Sequence, residues 1–251
     1  MHSPTDSLNH DFYRDGYAFL GPVFRAGELD AMRDEEARFR PVPRRKLVDE
    51  PNALTIFRSQ VCAWSPTVRN FAMTGLHLDA MQSLLGPDIA LYFNQFVTKL
   101  PDGDAVRGEF PWHQDLGYRA IEPMLKTVTV WVALDDVDEV NGCVWVMPGS
   151  HQNGLLSHRT RSTESWHLEV PVSGSGVPAK LRAGEAVAFT GLTLHRSLHN
   201  RSLAARRGFF IAYVPADSYY PDSRTFVIEG ADSWMVRGAQ ALNATVPDAA
   251  S

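Results

Sequence analysis

Between Ile89 and Val214 the chain is written in short β-type segments, and this constrains the fold more than any other feature. "IALYFNQFVTK", "KTVTVWVALDD", "CVWVMPGS", "WHLEVPV", "EAVAFTG" and "RRGFFIAYV" are β-branched or aromatic, and turn signals such as Asp102-Gly103, Asn141-Gly142 and Pro148-Gly149 separate them. Many short strands of this kind predict an antiparallel double sheet. The segment from Lys126 to Asp136 is the most informative. Alternation puts Val128, Val130, Val132 and Leu134 on one face and Thr127, Thr129, Trp131 and Ala133 on the other. The first face is core. The second, with two hydroxyls, an indole and a small residue, suits a cavity wall or a modestly polar interior.

The first 88 residues read as helical with one short strand. "AGELDAMRDEEARF" (26 to 39) places Leu29, Met32 and Phe39 near one helical face. A helix is predicted over 66 to 84, with Ser65 as N-cap, Pro66 in its first turn and Gly86 as its stop. Residues 40 to 52, rich in Pro and Arg, read as a surface loop, and "NATVPDAAS" at the end as a frayed tail. No repeat or composition change marks a boundary, so one domain over 1–251 is expected, with its β-rich core at about 89–230.

With 24 Lys+Arg against 29 Asp+Glu the net charge is −5, and no basic block offers a track for phosphates. Nucleic acid is not an expected partner. The first residues carry no signal-peptide pattern and no apolar run is long enough to span a bilayer, so a cytoplasmic protein acting on a small molecule, without a membrane partner, is expected. Cys62 and Cys143 read as small buried apolar residues.

His-x-Asp occurs twice. His77 and Asp79 fall inside the predicted 66–84 helix, where positions two apart stand about 200° apart around the axis and cannot converge on one ion. His113 and Asp115, in "EFPWHQDLGY", fall in an extended stretch, where positions two apart share a face. They can hold a metal together. A third ligand must come from "HRSLHNRSLAARR", as His195 or His199. Two imidazoles and a carboxylate form a facial triad with three adjacent positions of an octahedral ion open, which suits non-haem Fe(II) binding a co-substrate together with O2. A closed zinc site lacks that room. Arg206 and Arg207 then lead into the apolar run 209 to 214. An arginine entering a core requires an anion, and a dicarboxylate's far end matches it; both arginines flanking the strand in solvent is the other reading.

The stretches "FYRDGYAFLGPVF", "WHQDLGY", "TVWVALDDVDEVNGCVWVMPGSHQNG" and "HRSLHNRSLAARR" together resemble the phytanoyl-CoA dioxygenase family of Fe(II)/2-oxoglutarate-dependent oxygenases, over roughly residues 10 to 215. The resemblance implies a mainly β double-stranded β-helix, a distorted cupin-like jelly roll with flanking helices. It implies His113, Asp115 and His195 as iron ligands, Arg206 as the 2-oxoglutarate clamp assisted by Ser197, and Trp131 beside the co-substrate, with Thr127 and Gln95 as further lining. His195 is preferred because the family's arginine follows the distal ligand by about eleven residues, a spacing that from His199 would fall on Phe210. The implied cofactors are Fe(II), 2-oxoglutarate and O2. The implied reaction is oxidation of a C–H with release of succinate and CO2, and hydroxylation, desaturation, cyclisation, epoxidation and epimerisation all remain open. Asp115 argues against halogenation, which in this family replaces the carboxylate by a small residue. A cupin-like isomerase using the metal without oxygen is the competing reading, and it has no need of Arg206.

The segments 43–60, "VRGEFPW" and 157–167 look like variable covers of such a pocket. Arg58, Gln60, Tyr118 and Arg119 are candidate substrate contacts. Delivery of the substrate on a carrier such as CoA is left open, as is the oligomeric state. His151, in "PGSHQNG", reads as solvent-facing or as stabilising its turn.

Overall fold

Strand alternation at residues 128–134 divides the protein into two apolar layers. In the computed structural model, which describes residues 4–39, 55–102, 108–160 and 167–238, the helices are α1 (Pro4–Asp15), α2 (Glu28–Phe39), α3 (Pro66–Thr74) and α4 (Leu78–Leu85). The strands run in chain order as β1 (Tyr17–Pro22), β2 (Thr55–Ser59), β3 (Ile89–Lys99), β4 (Phe110–His113), β5 (Val128–Ala133), β6 (Val144–Val146), β7 (Arg159–Thr160), β8 (Leu168–Glu169), β9 (Val177–Pro178), β10 (Glu185–Thr190), β11 (His195–Ser197), β12 (Arg206–Pro215), β13 (Tyr219–Tyr220), β14 (Thr225–Phe226) and β15 (Trp234–Arg237).

The larger sheet has the order β1-β10-β5-β12-β3-β15, with β2 also pairing β3, and the smaller the order β4-β11-β6-β9. Every pairing is antiparallel. This is the expected double-stranded β-helix. On the outer face of the larger sheet, Val128, Val130, Val132 and Leu134 pack with Phe209, Ile211 and Tyr213 and with Phe12, Met32, Phe71 and Met81 of the helices. On the inner face Trp131 and Ala133 meet Val187 and Phe189 and, from the smaller sheet, Val144 and Val146. Each large side chain so buried contributes roughly 1.5–3 kcal/mol. Burial on this scale outweighs the tenths of a kcal/mol in local propensity, and it sets the register that places the inner-face polar groups.

The single helix expected over 66–84 is two helices. Ser65 caps α3 through Val68 N–H at 3.1 Å, as its position predicts, but the chain leaves the helix at Gly75. A Cβ at Gly75 would lie 2.5 Å from the His77 ring and 2.7 Å from the Phe71 carbonyl, so the break needs glycine. It turns His77 inward. Its Nε2 lies 2.7 Å from the Tyr213 hydroxyl, which donates to the Ala72 carbonyl at 2.6 Å. Asp79 faces out to Arg237 at 2.8 Å. The two point apart, although through a helix start rather than a continuous helix.

Two strands, β1 and β2, occur where one was expected. Residues 55–59, inside the 43–60 stretch read as a variable cover, form β2 along β3, because Thr55, Ile56 and Phe57 suit a pleated half-buried surface. The loop at 40–52 and the tail at 243–251 lie outside the described residues. Both cysteines are free and buried. No helix among the described residues is long and apolar enough to cross a membrane.

Burial draws the His77 pKa from 6.5 down to about 3, with Arg237 adding to the effect. Between those values the unfolded chain binds a proton that the folded protein refuses. The stabilisation is therefore complete above pH 6.5 and is lost as pH falls toward 3. Urea unfolding between pH 6 and 4 should show this group contributing a loss of about 1.4 kcal/mol per pH unit. His77→Phe should flatten that slope while leaving the contributions of the other histidines, and an unchanged slope would refute the assignment.

Candidate metal centre

β4 and β11 lie side by side in the smaller sheet, and His113 and His195 are direct partners in their register. Each ring is oriented by a backbone carbonyl two residues earlier. His113 Nδ1–H donates to Pro111 O at 2.8 Å, and His195 Nδ1–H to Thr193 O at 3.0 Å. This leaves both Nε2 lone pairs free, and the ring centroids are 4.1 Å apart. Gln114 is extended, so Asp115, in the turn that follows β4, comes to the same face. Its Oδ1 lies 3.9 Å from His113 Nε2 and 3.4 Å from His195 Nε2. The other oxygen, Oδ2, accepts from Thr129 Oγ1 at 2.7 Å.

Among the described residues this is the one group of three or more His, Cys, Asp or Glu whose ligand atoms gather, all within 4.8 Å of one another. Ligand atoms bound at right angles around one ion stand about 3 Å apart, so the set fits a single small divalent cation. Burial, reinforced by His195, holds His113 well below the usual imidazole pKa and therefore neutral. Burial opposes ionisation of Asp115, but its contact with His195, followed by those with His113 and the Thr129 hydroxyl, outweighs it and keeps the carboxyl below its ordinary value. Neutral imidazoles and an ionised acid are the forms that bind metal.

The inner face of the larger sheet also carries a buried guanidinium. Arg206 is 1% exposed, donates from Nη2 to the Gly142 carbonyl at 2.6 Å, and has Nε and Nη1 buried with no partner. Its guanidinium carbon is 5.1 Å from the centre of the Trp131 ring. Burial lowers its pKa to about 10, which leaves it a cation at neutral pH. Trp131 takes its place because residue 208 is glycine, where a Cβ would come 2.2 Å from the indole. The neighbour Arg207 is on the opposite side of β12, paired with Asp135 at 2.5 and 2.9 Å. Neither arginine simply flanks the strand in solvent. Gly142, at φ 81°, is also obligatory, because a Cβ there would meet the Leu198 carbonyl at 2.5 Å.

Ser197 is buried on the face of His195, while Arg196 between them turns outward to Trp112 and Trp145. Gln95, Phe210 and Trp131 are register partners across β3, β12 and β5, so Gln95 joins the row of Trp131; its amide oxygen accepts from Ser59 at 3.2 Å. Thr127 is buried, with its hydroxyl unpartnered. Tyr118 stands edge-on to His113 at 5.8 Å between ring centres, and its hydroxyl accepts from Leu168 N–H.

The other candidate contacts are placed elsewhere. Arg119 is stacked on Tyr220 at 3.4 Å. Arg58 is the register partner of Phe96, a residue of the helix-side core, and so takes that face rather than the face of Gln95. Gln60 is pinned to Asn94 and the Tyr92 carbonyl. His151 is buried rather than solvent-facing, and its Nε2 meets the Tyr13 carbonyl at 3.2 Å, tying its turn to α1. His199 is not part of the metal-ligand cluster.

Three contributors escape a reading by motif. Thr129 lay on the correct face but carried no sign of its bond to Asp115. Gln114, fully buried, donates to Gly154 and Leu192 carbonyls, accepts from Leu156 N–H, and so clamps the loop 154–156 to the turn that carries Asp115. Phe110 would face away from His113 under strict alternation, yet a bulge between them sets its ring 4.4 Å from the imidazole. Pro111, which cannot complete the ladder, is the sequence signal for that bulge.

A double-stranded β-helix with a buried two-histidine, one-carboxylate cluster and an unmatched arginine on its inner wall defines a metal-binding jelly-roll protein. The family model for phytanoyl-CoA dioxygenase (PhyH) matches residues 12–208, and the chain belongs to that family. It is 27% identical over 155 residues to the peroxisomal phytanoyl-CoA dioxygenase of Bos taurus, covering 58% of this chain and 45% of that protein. It is 32% identical over 121 residues to phytanoyl-CoA dioxygenase domain-containing protein 1 of Danio rerio, covering 45% and 40%. The chain thus matches less than half the length of these relatives. Among solved structures, the non-heme monooxygenase ThoJ superposes with TM-score 0.75 at 23% identity, over 92% of this chain and 84% of that one. The epimerase SnoN in complex with Fe3+, alpha ketoglutarate and nogalamycin RO gives 0.72 at 22%, over 86% and 85%. These likenesses establish the fold.

Thr129→Val removes the donor that fixes Asp115 while keeping the shape of the side chain. It is expected to weaken Mn(II) or Fe(II) binding by roughly tenfold, as loss of outer-shell support generally does. Calorimetric metal titration checks this, and unchanged affinity would show that Asp115 needs no such anchor.

Proposed function

We propose that the protein is a non-haem Fe(II)/2-oxoglutarate-dependent dioxygenase that oxidises an unactivated C–H of a small organic molecule, with secondary metabolism as its setting. The observation that carries this reading is the pairing of two groups on the facing inner surfaces of the two sheets: an assembled His113–Asp115–His195 cluster and a buried Arg206 whose Nε and Nη1 lack acceptors. A guanidinium held out of water with one carbonyl acceptor and no anion is costly, and a dicarboxylate that meets it offsets that cost.

In this reading His113 and His195 would hold Fe(II) through Nε2 and Asp115 through Oδ1, while Arg206, assisted by Ser197, would receive the distal carboxylate of 2-oxoglutarate. Iron, 2-oxoglutarate and O2 together supply oxidation of a C–H, coupled to conversion of the co-substrate to succinate and CO2. The chain's own contribution is placement. Backbone carbonyls orient the two imidazoles, Thr129 orients the acid, Gly142 and Trp131 fix the guanidinium, and Gln114 holds the loop that follows the ligand turn. Phe110 and Tyr118, both against His113, would form the wall that meets substrate and limits water.

An oxygen-free isomerase leaves Arg206 without a role. Epimerisation does not itself require such a mechanism, since the epimerase SnoN was solved with alpha ketoglutarate. Inversion at a C–H is therefore one outcome of the same reading, alongside hydroxylation.

Anaerobic addition of Fe(II) and 2-oxoglutarate should produce a weak visible charge-transfer band. Arg206→Ala and His113→Ala should each abolish it. On admitting air with a competent substrate, succinate should appear in step with product. A protein that binds iron but shows no band with 2-oxoglutarate would refute the proposal and favour the isomerase.

A further inference from the structure

Lys99 is the register partner of Arg206 on the adjoining strand, and it too is 1% exposed. Its ammonium donates to three backbone carbonyls: Gly108 at 2.5 Å, Leu198 at 2.5 Å and Ser197 at 3.1 Å. A neutral amine has two N–H bonds and would turn its lone pair against the third carbonyl, so this set of acceptors specifies the protonated form. Burial and the adjacent guanidinium act against that form; Glu109 and Asp102 favour it from a distance, and the balance leaves the pKa well below the usual lysine value. The end of the barrel that holds Ser197 and Arg206 therefore gathers two buried positive charges, and among the described residues neither has a carboxylate in contact.

The three carbonyls are informative in themselves. Ser197 ends β11, two residues beyond His195, with Leu198 directly after it, and Gly108 opens the segment that leads into β4 and His113. The Gly108 peptide is held from both sides, since its N–H donates to Asp102 at 2.6 Å. Lys99 also packs against the Arg206 support, because a Cβ at Gly142 would lie 3.3 Å from Lys99 Cδ. Asn200 closes the arrangement by donating to the Lys99 carbonyl at 3.1 Å. One side chain thus joins the two ligand-bearing strands to the backing of Arg206.

We propose that Lys99 is a positioning residue for the distal carboxylate of the co-substrate: it holds Ser197 and the backing of Arg206 in place and supplies a second positive charge that selects a 2-oxo acid with a second carboxylate. This rests on the reading of the chain as a 2-oxoglutarate-dependent enzyme. The ammonium need not touch the anion. Its charge acts through a buried, poorly screened interior, and its three hydrogen bonds keep the receiving groups from relaxing around Arg206 when the anion is absent.

The test compares zinc(II)-loaded wild type, Lys99→Met and Lys99→Gln in calorimetric titrations with 2-oxoglutarate and with 2-oxopentanoate, which has the same chain length but no distal carboxylate. Lys99→Met is expected to weaken 2-oxoglutarate by tenfold or more, and 2-oxopentanoate by less than roughly twofold. Lys99→Gln keeps N–H donors without the charge and should recover only part of the loss. A purely structural lysine would weaken both acids alike, so equal losses, or none, would overturn the proposal. Failure of the wild type to bind 2-oxoglutarate would instead overturn the underlying functional reading.

A second measurement uses the wild type alone and does not depend on either variant folding. In protein labelled with 15N-lysine and loaded with zinc(II), Lys99 should give a slowly exchanging ammonium signal that shifts with 2-oxoglutarate and not with 2-oxopentanoate. A neutral-amine signal, or one indifferent to both acids, would overturn the proposal.

Discussion

The antiparallel pairing of β4 with β11 is the constraint on which the site depends. It makes His113 and His195 register partners although 81 intervening residues separate them along the chain. Neither strand is long, and neither would persist alone; β11 is held on its other edge by β6, whose Val144 and Val146 enter the core between the sheets. Slipping that register by one residue would turn His195 outward and Arg196 inward. Arg196 opposes such a slip, since its present position lies over two indoles on the outer side, and inside it would be an unmatched charge. The apolar core and the outward cation specify one register together.

Around this pairing the protein divides its labour by sheet face. The outer face of the larger sheet is covered by helices and is almost wholly apolar, so its role is stability. The inner face tolerates Thr127 with an unpartnered hydroxyl, Arg206 with two unpartnered nitrogens and Lys99 with no acid in contact. Each of these costs stability, and in the proposed function a carboxylate received by Arg206 would offset part of that cost while the Lys99 charge acts on it from a distance. Contrast with Arg207 makes the point. One residue away and on the other face, it has a bidentate carboxylate, as a structural arginine should.

The legible part of this architecture followed from period. Two-residue alternation separated the valine face of β5 from the Thr129–Trp131 face, identified His113 and Asp115 as able to share an ion, and put Ser197 with His195. The obscure part came from places where the chain departs from period. The bulge at Pro111 moves Phe110 to the ligand side, and the break at Gly75 converts one helix into two and buries His77. Arg58, a candidate substrate contact by sequence, takes the helix side because its strand pairs with β3 in the register that sets it opposite Phe96. Lys99 was hidden for another reason. Its partners are three backbone carbonyls from two distant segments, and no side-chain pattern announces them.

That last case bears on how specificity is built here. Side chains that contact the ion can be found by type and spacing, because metal chemistry accepts few residue types. The groups that orient them are mostly backbone: Pro111 and Thr193 carbonyls for the imidazoles, Gly142 for the guanidinium, and Gly108, Ser197 and Leu198 for the ammonium. A backbone carbonyl is aimed by the fold and unchanged by most substitutions at its own residue. A site oriented in this way is as rigid as the sheets that carry it, and its geometry can persist while the cover segments vary. In the proposed function, selection of a substrate would then fall to groups such as Phe110 and Tyr118, whose rings lie against His113 without orienting it.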